Sequence, residues 1–392
     1  MVPPYSRTQR YIETGGAVSR PPINQGVCMK NIRSWGAVTL ASLLLAACGG
    51  GGDGDQSPRV KYTAMVSFGD SLSDVGSYAT PVLVQATGGG KFTVNGPTGK
   101  NWTELLSVQA GTGAPCAAQT GLESSGPLAA FAQAAAPHAG CYGYAQGGAR
   151  VTNPVGPGNK ALIAAGDTSG YVGQLTVPVV TQIGNHLTAV GGSFSGTELV
   201  TVMAGGNDVF INLAAVSAAQ ATPTQAVTAM ATAGGELAAY IKTMILAKGA
   251  THVVVVNLPD VSQTPLGYSQ TVEVQGLINT MVVQFNTQLH AGLAGTSGVL
   301  EVDAYTQGRD QVAHPEMYGL TNVTTPACDL TSANTANTVK MPFASSLVCS
   351  TSTLIAGDTS RYEFADTVHP TPFAYQLLAR FVAKRMVETG WL

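Results

Sequence analysis

Asp366-Thr367-Val368-His369-Pro370 stands near the C-terminus, just before a helical stretch. A carboxylate and an imidazole three positions apart fit on one turn, so one short loop can deliver both. A carboxylate behind an imidazole fixes its tautomer and makes it a general base. Such a base needs a nucleophile, and Ser71 offers a hydroxyl. It lies in Ser67-Phe68-Gly69-Asp70-Ser71-Leu72-Ser73-Asp74, directly after an apolar, strand-like run. A Ser at a strand's C-terminal end, entering a tight turn into a helix, has an exposed hydroxyl and a backbone N–H pointing into the crevice. Taken alone, each segment has a plainer reading. Ser71 fits an N-capping residue of a strand-to-helix loop, and Asp366 with His369 fits a surface pair at a helix start.

Two Gly-rich segments add a second kind of group. Gly205-Gly206-Asn207-Asp208 ends the run LVTVMA. An Asn amide at a strand's C-terminal edge can donate to a developing oxyanion. In Gly143-Tyr144-Ala145-Gln146-Gly147-Gly148-Ala149-Arg150 a Gly N–H offers a second donor, because Gly lets the backbone approach a substrate closely. Separately, both segments read as turns.

Together the four segments resemble the GDSL/SGNH hydrolase superfamily. FGDSLSD is similar to its first block, GGAR to its second, GGND to its third and DTVHP to its fifth. Order and spacing agree over about residues 62–385. The stretches VNGPTGKNWTELL, NLPDVSQTP and YGLTNVTTPAC resemble the phospholipase, lecithinase and esterase branch found in Gram-negative bacteria. The resemblance implies Ser71 as nucleophile, His369 as base and Asp366 as its orienter. It also implies an oxyanion hole made by the backbone N–H groups of Ser71 and Gly148 and the side chain of Asn207. The family's pattern selects Gly148 over Gly147. Gly143 stands where relatives often carry Asn, a departure that removes no catalytic group. No metal or organic cofactor is implied.

Several look-alikes lose on context. His314-Pro315 follows Asp310 at a spacing of four, inside an insertion rather than before a helix. His138, His186, His252 and His290 have no motif around them and are expected to be structural or solvated. Gly156-Pro157-Gly158-Asn159-Lys160-Ala161 loosely fits a dinucleotide fingerprint, but no strand precedes it and a Pro interrupts it. No G-x-S-x-G elbow is present, which argues against the α/β-hydrolase fold.

The elements that must position these groups are legible as runs. Apolar stretches at 62–68, 141–145, 199–204, 252–258 and 299–304 predict buried parallel strands, the second of them weak. Helical periodicity predicts helices over 222–248, 272–293 and 372–388, the first opened by a TPTQ cap. Strand alternating with helix implies an α/β fold. With the resemblance, this becomes a three-layer α/β/α sandwich around a flavodoxin-like parallel sheet of about five strands. Residues 80–140 and 307–362 break the alternation and are rich in Gly, Ser, Thr and Pro. They are expected to be long loop insertions above the sheet, where substrate loops sit.

The chain has 392 residues, with 45% hydrophobic and a net charge of only −3, which argues against disorder. Its acidic balance argues against nucleic acid as a partner. From Met29 the sequence MKNIRSWGAVTLASLLLAAC has a basic start and a short apolar stretch, as a signal peptide does. Leu45-Ala46-Ala47-Cys48 resembles a bacterial lipobox, in which Cys48 carries the lipid anchor. Residues 1–28 then read as an upstream extension wrongly joined to the chain. Residues 29–47 read as the lipoprotein signal peptide, 48–58 as a flexible linker and 59–392 as the hydrolase domain. Gly49 after the Cys favours the outer membrane, on its periplasmic or cell-surface face, with release from the cell also open. Cys116, Cys141, Cys328 and Cys349 allow three pairings, and proximity favours Cys116–Cys141 and Cys328–Cys349.

The expected protein is an exported serine esterase or lipase acting through an acyl-enzyme on Ser71. One rival is an acyltransferase or a phospholipase with the same triad. Another is a non-catalytic surface lipoprotein that binds glycan or lipid, which a fluorophosphonate label at Ser71 would exclude.

Overall fold

The structure is a computed structural model that describes residues 60–330 and 345–392. Cys48, its signal peptide, the linker and the upstream segment lie outside the described residues. In chain order the strands are β1 (Ala64–Gly69), β2 (Gln119–Leu122), β3 (Gln133–Pro137), β4 (Glu198–Met203), β5 (His252–Val256) and β6 (Val299–Val302). The helices are α1 (Pro81–Thr87), α2 (Trp102–Gln109), α3 (Val179–Ala189), α4 (Gly206–Ser217), α5 (Pro223–Tyr240), α6 (Pro265–Tyr268), α7 (Val272–Leu293), α8 (Ala304–Ala313) and α9 (Pro372–Glu388).

β1, β4, β5 and β6 form a parallel sheet in that order. The register pairs Ala64 with Glu198, Leu199 with His252 and Val253 with Val299. Side chains alternate between the two faces, as a strand requires. Val66, Phe68, Val200, Val202, Val253 and Val255 point to one face, where they meet α3, α5 and α7. Met65, Leu199, Met203, Val254, Val256, Leu300 and Val302 point to the other, where α2 and α9 cover them. The result is the expected α/β/α sandwich.

The expected strand at 141–145 shrinks to a bridge. Ser67 donates its N–H to the Tyr142 carbonyl at 3.0 Å, and Tyr144 donates to the Ser67 carbonyl at 2.8 Å. The bridge lies on the free side of β1. It stops there because Cys141 is tied to Cys116 on one side and the chain turns at Gln146 on the other.

The expected helix at 222–248 starts as read. Thr222 and Gln225 form a capping box with Pro223 in the first turn. Its last turns differ, because α5 ends at Tyr240 and a π turn and a 3-10 turn follow to Lys248. The region 80–140 is also more than an insertion. It contains α2, whose Trp102 and Leu106 are fully buried in the second layer. β2 and β3 form a separate antiparallel pair. Among the described residues no helix is long and apolar enough to cross a membrane.

Candidate active site

β1 delivers Ser71 through a close approach of two strand ends. Gly69 at the end of β1 has φ +148, and a Cβ there would collide with the Met203 carbonyl oxygen of β4. Only Gly fits. Gln182 of α3 clasps the same residue, accepting from its N–H at 2.9 Å and donating to its carbonyl at 2.8 Å. The next residue, Asp70, caps the short turn Ser71–Ser73 by accepting from the Leu72 N–H at 3.1 Å. The cap is therefore Asp70, and the Ser71 hydroxyl is left for other work. Ser71 is only 8% exposed, so the hydroxyl opens into a cleft rather than onto open surface as the sequence suggested.

His369 Nε2 lies 2.9 Å from Ser71 Oγ, and His369 Nδ1 lies 2.7 Å from Asp366 Oδ2. These two contacts bring together residues 298 positions apart. Asp366 Oδ1 accepts from the N–H groups of Val368 at 2.9 Å and His369 at 2.7 Å. Burial pushes the Asp366 carboxyl up, but the His369 imidazole and these donors outweigh it and hold it well below the usual carboxylate range. Asp366 thus stays ionised beside the ring, which orients Nδ1–H toward it and leaves Nε2 free to accept from Ser71.

The second Gly-rich loop is held against the nucleophile turn by Asp74. Its carboxylate accepts from the N–H of Gly76 at 2.8 Å, of Ser77 at 2.7 Å and of Gly147 at 2.9 Å, and from the Ser77 hydroxyl at 2.5 Å. The Gly147 N–H is therefore occupied. Among the described residues no hydrogen bond occupies the Gly148 or Ser71 N–H. Gly148 has φ +77, and a Cβ there would crowd the Pro157 carbonyl and the Thr176 methyl, both 2.5 Å away. Asn207, in the first turn of α4, donates to the Ala149 carbonyl at 2.8 Å and lines the cleft. Asp208 beside it is buried and bonds Arg150 Nε at 2.9 Å and the Val151 N–H at 3.0 Å. This pair locks the Gly148 loop to the start of α4.

Sequence reasoning missed the groups that hold the triad from outside its own motifs. The Ser346 N–H donates to Asp366 Oδ2 at 2.5 Å. Ser346 belongs to the insertion at 307–362, so that insertion supports the base. Asn95, in the other insertion, donates to the carbonyls of Ser346 at 3.0 Å and Cys349 at 2.8 Å. No spacing rule marks Ser346, whereas Asn95 stands in VNGPTGKNWTELL, a stretch the resemblance singles out without giving this amide a role. Gln182 had a faint signal, as one amide on the apolar stripe of α3 beside Val179 and Ile183.

The cleft opens at the C-terminal ends of β1, β4, β5 and β6. It encloses about 990 Å³, counting the space open to solvent. Leu72, Phe210, Leu258, Val261, Val312 and Leu378 give it apolar walls. Asp70 and Glu363 also line it, and burial pushes each carboxyl up to about 7.

The other histidines stay apart from this relay. His314 bonds Asp310 at 2.9 Å on the exposed end of α8. His138 meets Thr120, His252 meets Thr251, and His290 meets Glu301. His186 is buried among the rings of Phe68, Tyr142, Tyr144 and Phe194, and neither of its nitrogens has a partner. The disulfides are Cys116–Cys141 and Cys328–Cys349, as proximity suggested.

A parallel sheet that carries a Ser-His-Asp relay at its C-terminal edge defines a serine hydrolase. A family model described as GDSL-like Lipase/Acylhydrolase matches residues 65–382, and the chain belongs to that family. It is accordingly an ester hydrolase of the serine type. No curated protein matches the sequence.

Proposed function

We propose that the protein is a lipid-anchored serine esterase that cleaves acyl esters through an acyl-enzyme on Ser71. The observation that carries this reading is the continuous relay from Ser71 Oγ to His369 and on to Asp366, with contacts of 2.9 and 2.7 Å. Ser71 Oγ attacks the ester carbonyl while His369 Nε2 takes its proton. Negative charge moves onto the carbonyl oxygen. The N–H groups of Ser71 and Gly148 and the Asn207 amide receive it, and the unoccupied N–H of Gly148 supports its choice over Gly147. The C–O bond then breaks, and His369 returns the proton to the leaving alcohol. Water, deprotonated by the same nitrogen, releases the acid and restores Ser71.

The apolar walls favour an acyl chain over a bare acetyl group or a sugar, in keeping with the lipase and phospholipase branch the motifs resemble. Cys48 is the lipid attachment point, and the outer membrane is the location this reading gives. Two disulfides fit an oxidising compartment.

The test is fluorophosphonate labelling of the purified protein, with the labelled peptide mapped, beside a chain-length series of p-nitrophenyl esters and a phospholipid. Label on Ser71 and turnover that rises with chain length are expected. Absence of label on Ser71 overturns the mechanism. Mass spectrometry of the native N-terminus tests the anchor, and an unmodified Cys48 refutes it.

A further inference from the structure

Glu363 is a buried polar group of the cleft that the chemistry above does not use. It lies three residues before Asp366, in the short hairpin that carries the base. There Thr371 donates its N–H to the Glu363 carbonyl at 2.9 Å, and Ala365 donates to the His369 carbonyl at 2.7 Å. Glu363 lines the same cleft as Ser71 and His369. It is 8% exposed; its Oε2 is sealed from solvent with no donor among the described residues, and its other oxygen, which no hydrogen bond among the described residues occupies, is the one left accessible.

Its neighbours are different. Asp260, on the same cleft, is saturated by Arg309, Asn279 and Ser262. Asp366 has His369, Val368 and Ser346. Glu363 has no ion pair among the described residues. A buried carboxyl without a partner is costly. A ligand in the cleft can supply a partner to Oε1, the oxygen that is not sealed, and lessen that cost on binding.

We propose, on the basis of the esterase reading above, that Glu363 sets substrate choice by hydrogen-bonding a hydroxyl group that the substrate carries away from its ester. Two properties select a hydroxyl. Burial pushes the carboxyl up to about 7, so near neutral pH much of it is the neutral acid, which both donates and accepts. A hydroxyl answers both roles. An ammonium group would have to leave water for walls such as Leu258, Val261 and Phe364, and of the cleft's other carboxyls Asp260 is taken by Arg309 while Asp70, which accepts from the Leu72 N–H, is itself pushed up to about 7 by burial. The hydroxyl can sit on the alcohol portion or along the acyl chain. Either source gives the same chemistry at Glu363, and the consequence is a preference for oxygenated esters over plain ones.

The experiment measures kcat/KM of the full-length protein on matched octanoate esters. Ethyl octanoate is the reference. Monooctanoylglycerol places hydroxyls on the alcohol side, and ethyl 3-hydroxyoctanoate and ethyl 8-hydroxyoctanoate place one on the acyl side. Octanoylcholine carries a cation instead. At least one hydroxylated ester should exceed the reference by roughly tenfold or more, the worth of a single well-made hydrogen bond. Which ester does so identifies the source.

Glu363→Leu should erase that preference and raise kcat/KM on ethyl octanoate, because it removes the unpaired group. Glu363→Met, unbranched and of similar length, is the paired variant should the first not fold. Glu363→Gln should keep most of the preference. Equal rates on all the octanoates overturn the proposal. So does a hydroxyl preference that survives in the Leu and Met variants, or a preference for octanoylcholine that they lose. No turnover of any ester, with no fluorophosphonate label on Ser71, overturns the esterase reading and takes the proposal with it. A labelled, active enzyme indifferent to hydroxyls overturns the proposal alone.

Discussion

The Asp74 carboxylate accepts from the Gly147 N–H at 2.9 Å, across 73 positions of chain. That bond joins the turn holding Ser71 to the loop holding Gly148. The nucleophile and an oxyanion donor thus share one anchor, so their separation is set by a residue that touches neither the base nor the substrate. Asp74→Ala should lower kcat by roughly 10–100-fold, because small misplacements of such groups are expensive. Fluorophosphonate labelling of Ser71 should slow and still go to completion, since the relay to His369 stays intact. The variant should also lose about 1–3 kcal/mol of stability from donors left unpaired. Wild-type kcat in a folded Asp74→Ala protein would separate the loop's position from this anchor.

Ser71→Ala removes the proposed covalent step itself. The residue is small and its hydroxyl opens into the cleft, so the fold should be untouched. Turnover should fall by about 10⁴-fold or more, leaving only what the oxyanion donors and binding provide. Kinetics on a p-nitrophenyl ester, with melting temperature as the control for folding, decide the matter. Residual activity within tenfold of wild type would mean that another group attacks the ester.

His186 predicts how stability depends on acidity. Burial among aromatic rings lowers its pKa from the ordinary 6.5 to about 4. Below about pH 6.5 the unfolded chain takes up a proton that the folded protein refuses until about pH 4. Stability therefore falls as pH drops across that window, by up to about 3 kcal/mol from this group. Glu363 and Asp70 act in the opposite sense. Their raised carboxyls contribute most at low pH, and that contribution is lost as pH rises through about 7. Total stability mixes these groups, so the comparison must be with His186→Phe, which keeps a ring in the cage. Melting temperatures of both proteins from pH 7 to pH 4.5 should diverge, with wild type falling faster. Parallel curves would mean that His186 is not held neutral.

The sheet and the relay were legible for the same reason. Buried parallel strands read as unbroken apolar runs, and β4, β5 and β6 lie where the runs at 199–204, 252–258 and 299–304 predicted. Ser71 and the Asp366–His369 pair sit in motifs whose residue types are dictated by reaction chemistry. Two of the helices that were not read begin beside Gly-rich stretches. α4 starts inside GGND, where two glycines signal a turn, yet Gly205 at φ +120 leads directly into its first turn. α2 was hidden in a Gly-rich region although Asn101 and Glu104 form its capping box. Ser346 could not be read, because a backbone N–H leaves no mark on residue type, and Asn95 stood in the family-like stretch VNGPTGKNWTELL without a visible partner. Their roles exist only once two insertions meet beside Asp366.

The relay also distinguishes the two Asp–His pairs that the sequence offers. Asp366 and His369 are buried, and the ring's second nitrogen reaches Ser71. Asp310 and His314 are exposed at the end of α8, where Asp310 is also bonded by the Tyr318 hydroxyl. The pairing looks alike in sequence, but only the first has a nucleophile beyond its ring. His369→Ala should reduce kcat by about 10⁴-fold or more, since Ser71 then has no base. His314→Ala should change kcat by less than about twofold, as surface substitutions away from a site usually have small effects. Asn207→Ala should fall between them. Its amide meets charge that appears only during attack, and losing one such donor costs about 10²–10³ in kcat with little change in KM. It also gives up the bond to the Ala149 carbonyl, so circular dichroism must show that the loop and α4 remain folded. The deciding measurement is kcat and KM for the three variants on one ester. An inactive His314→Ala beside an active His369→Ala would move the base to α8. Full activity in Asn207→Ala would leave the oxyanion to the backbone N–H groups of Ser71 and Gly148 alone.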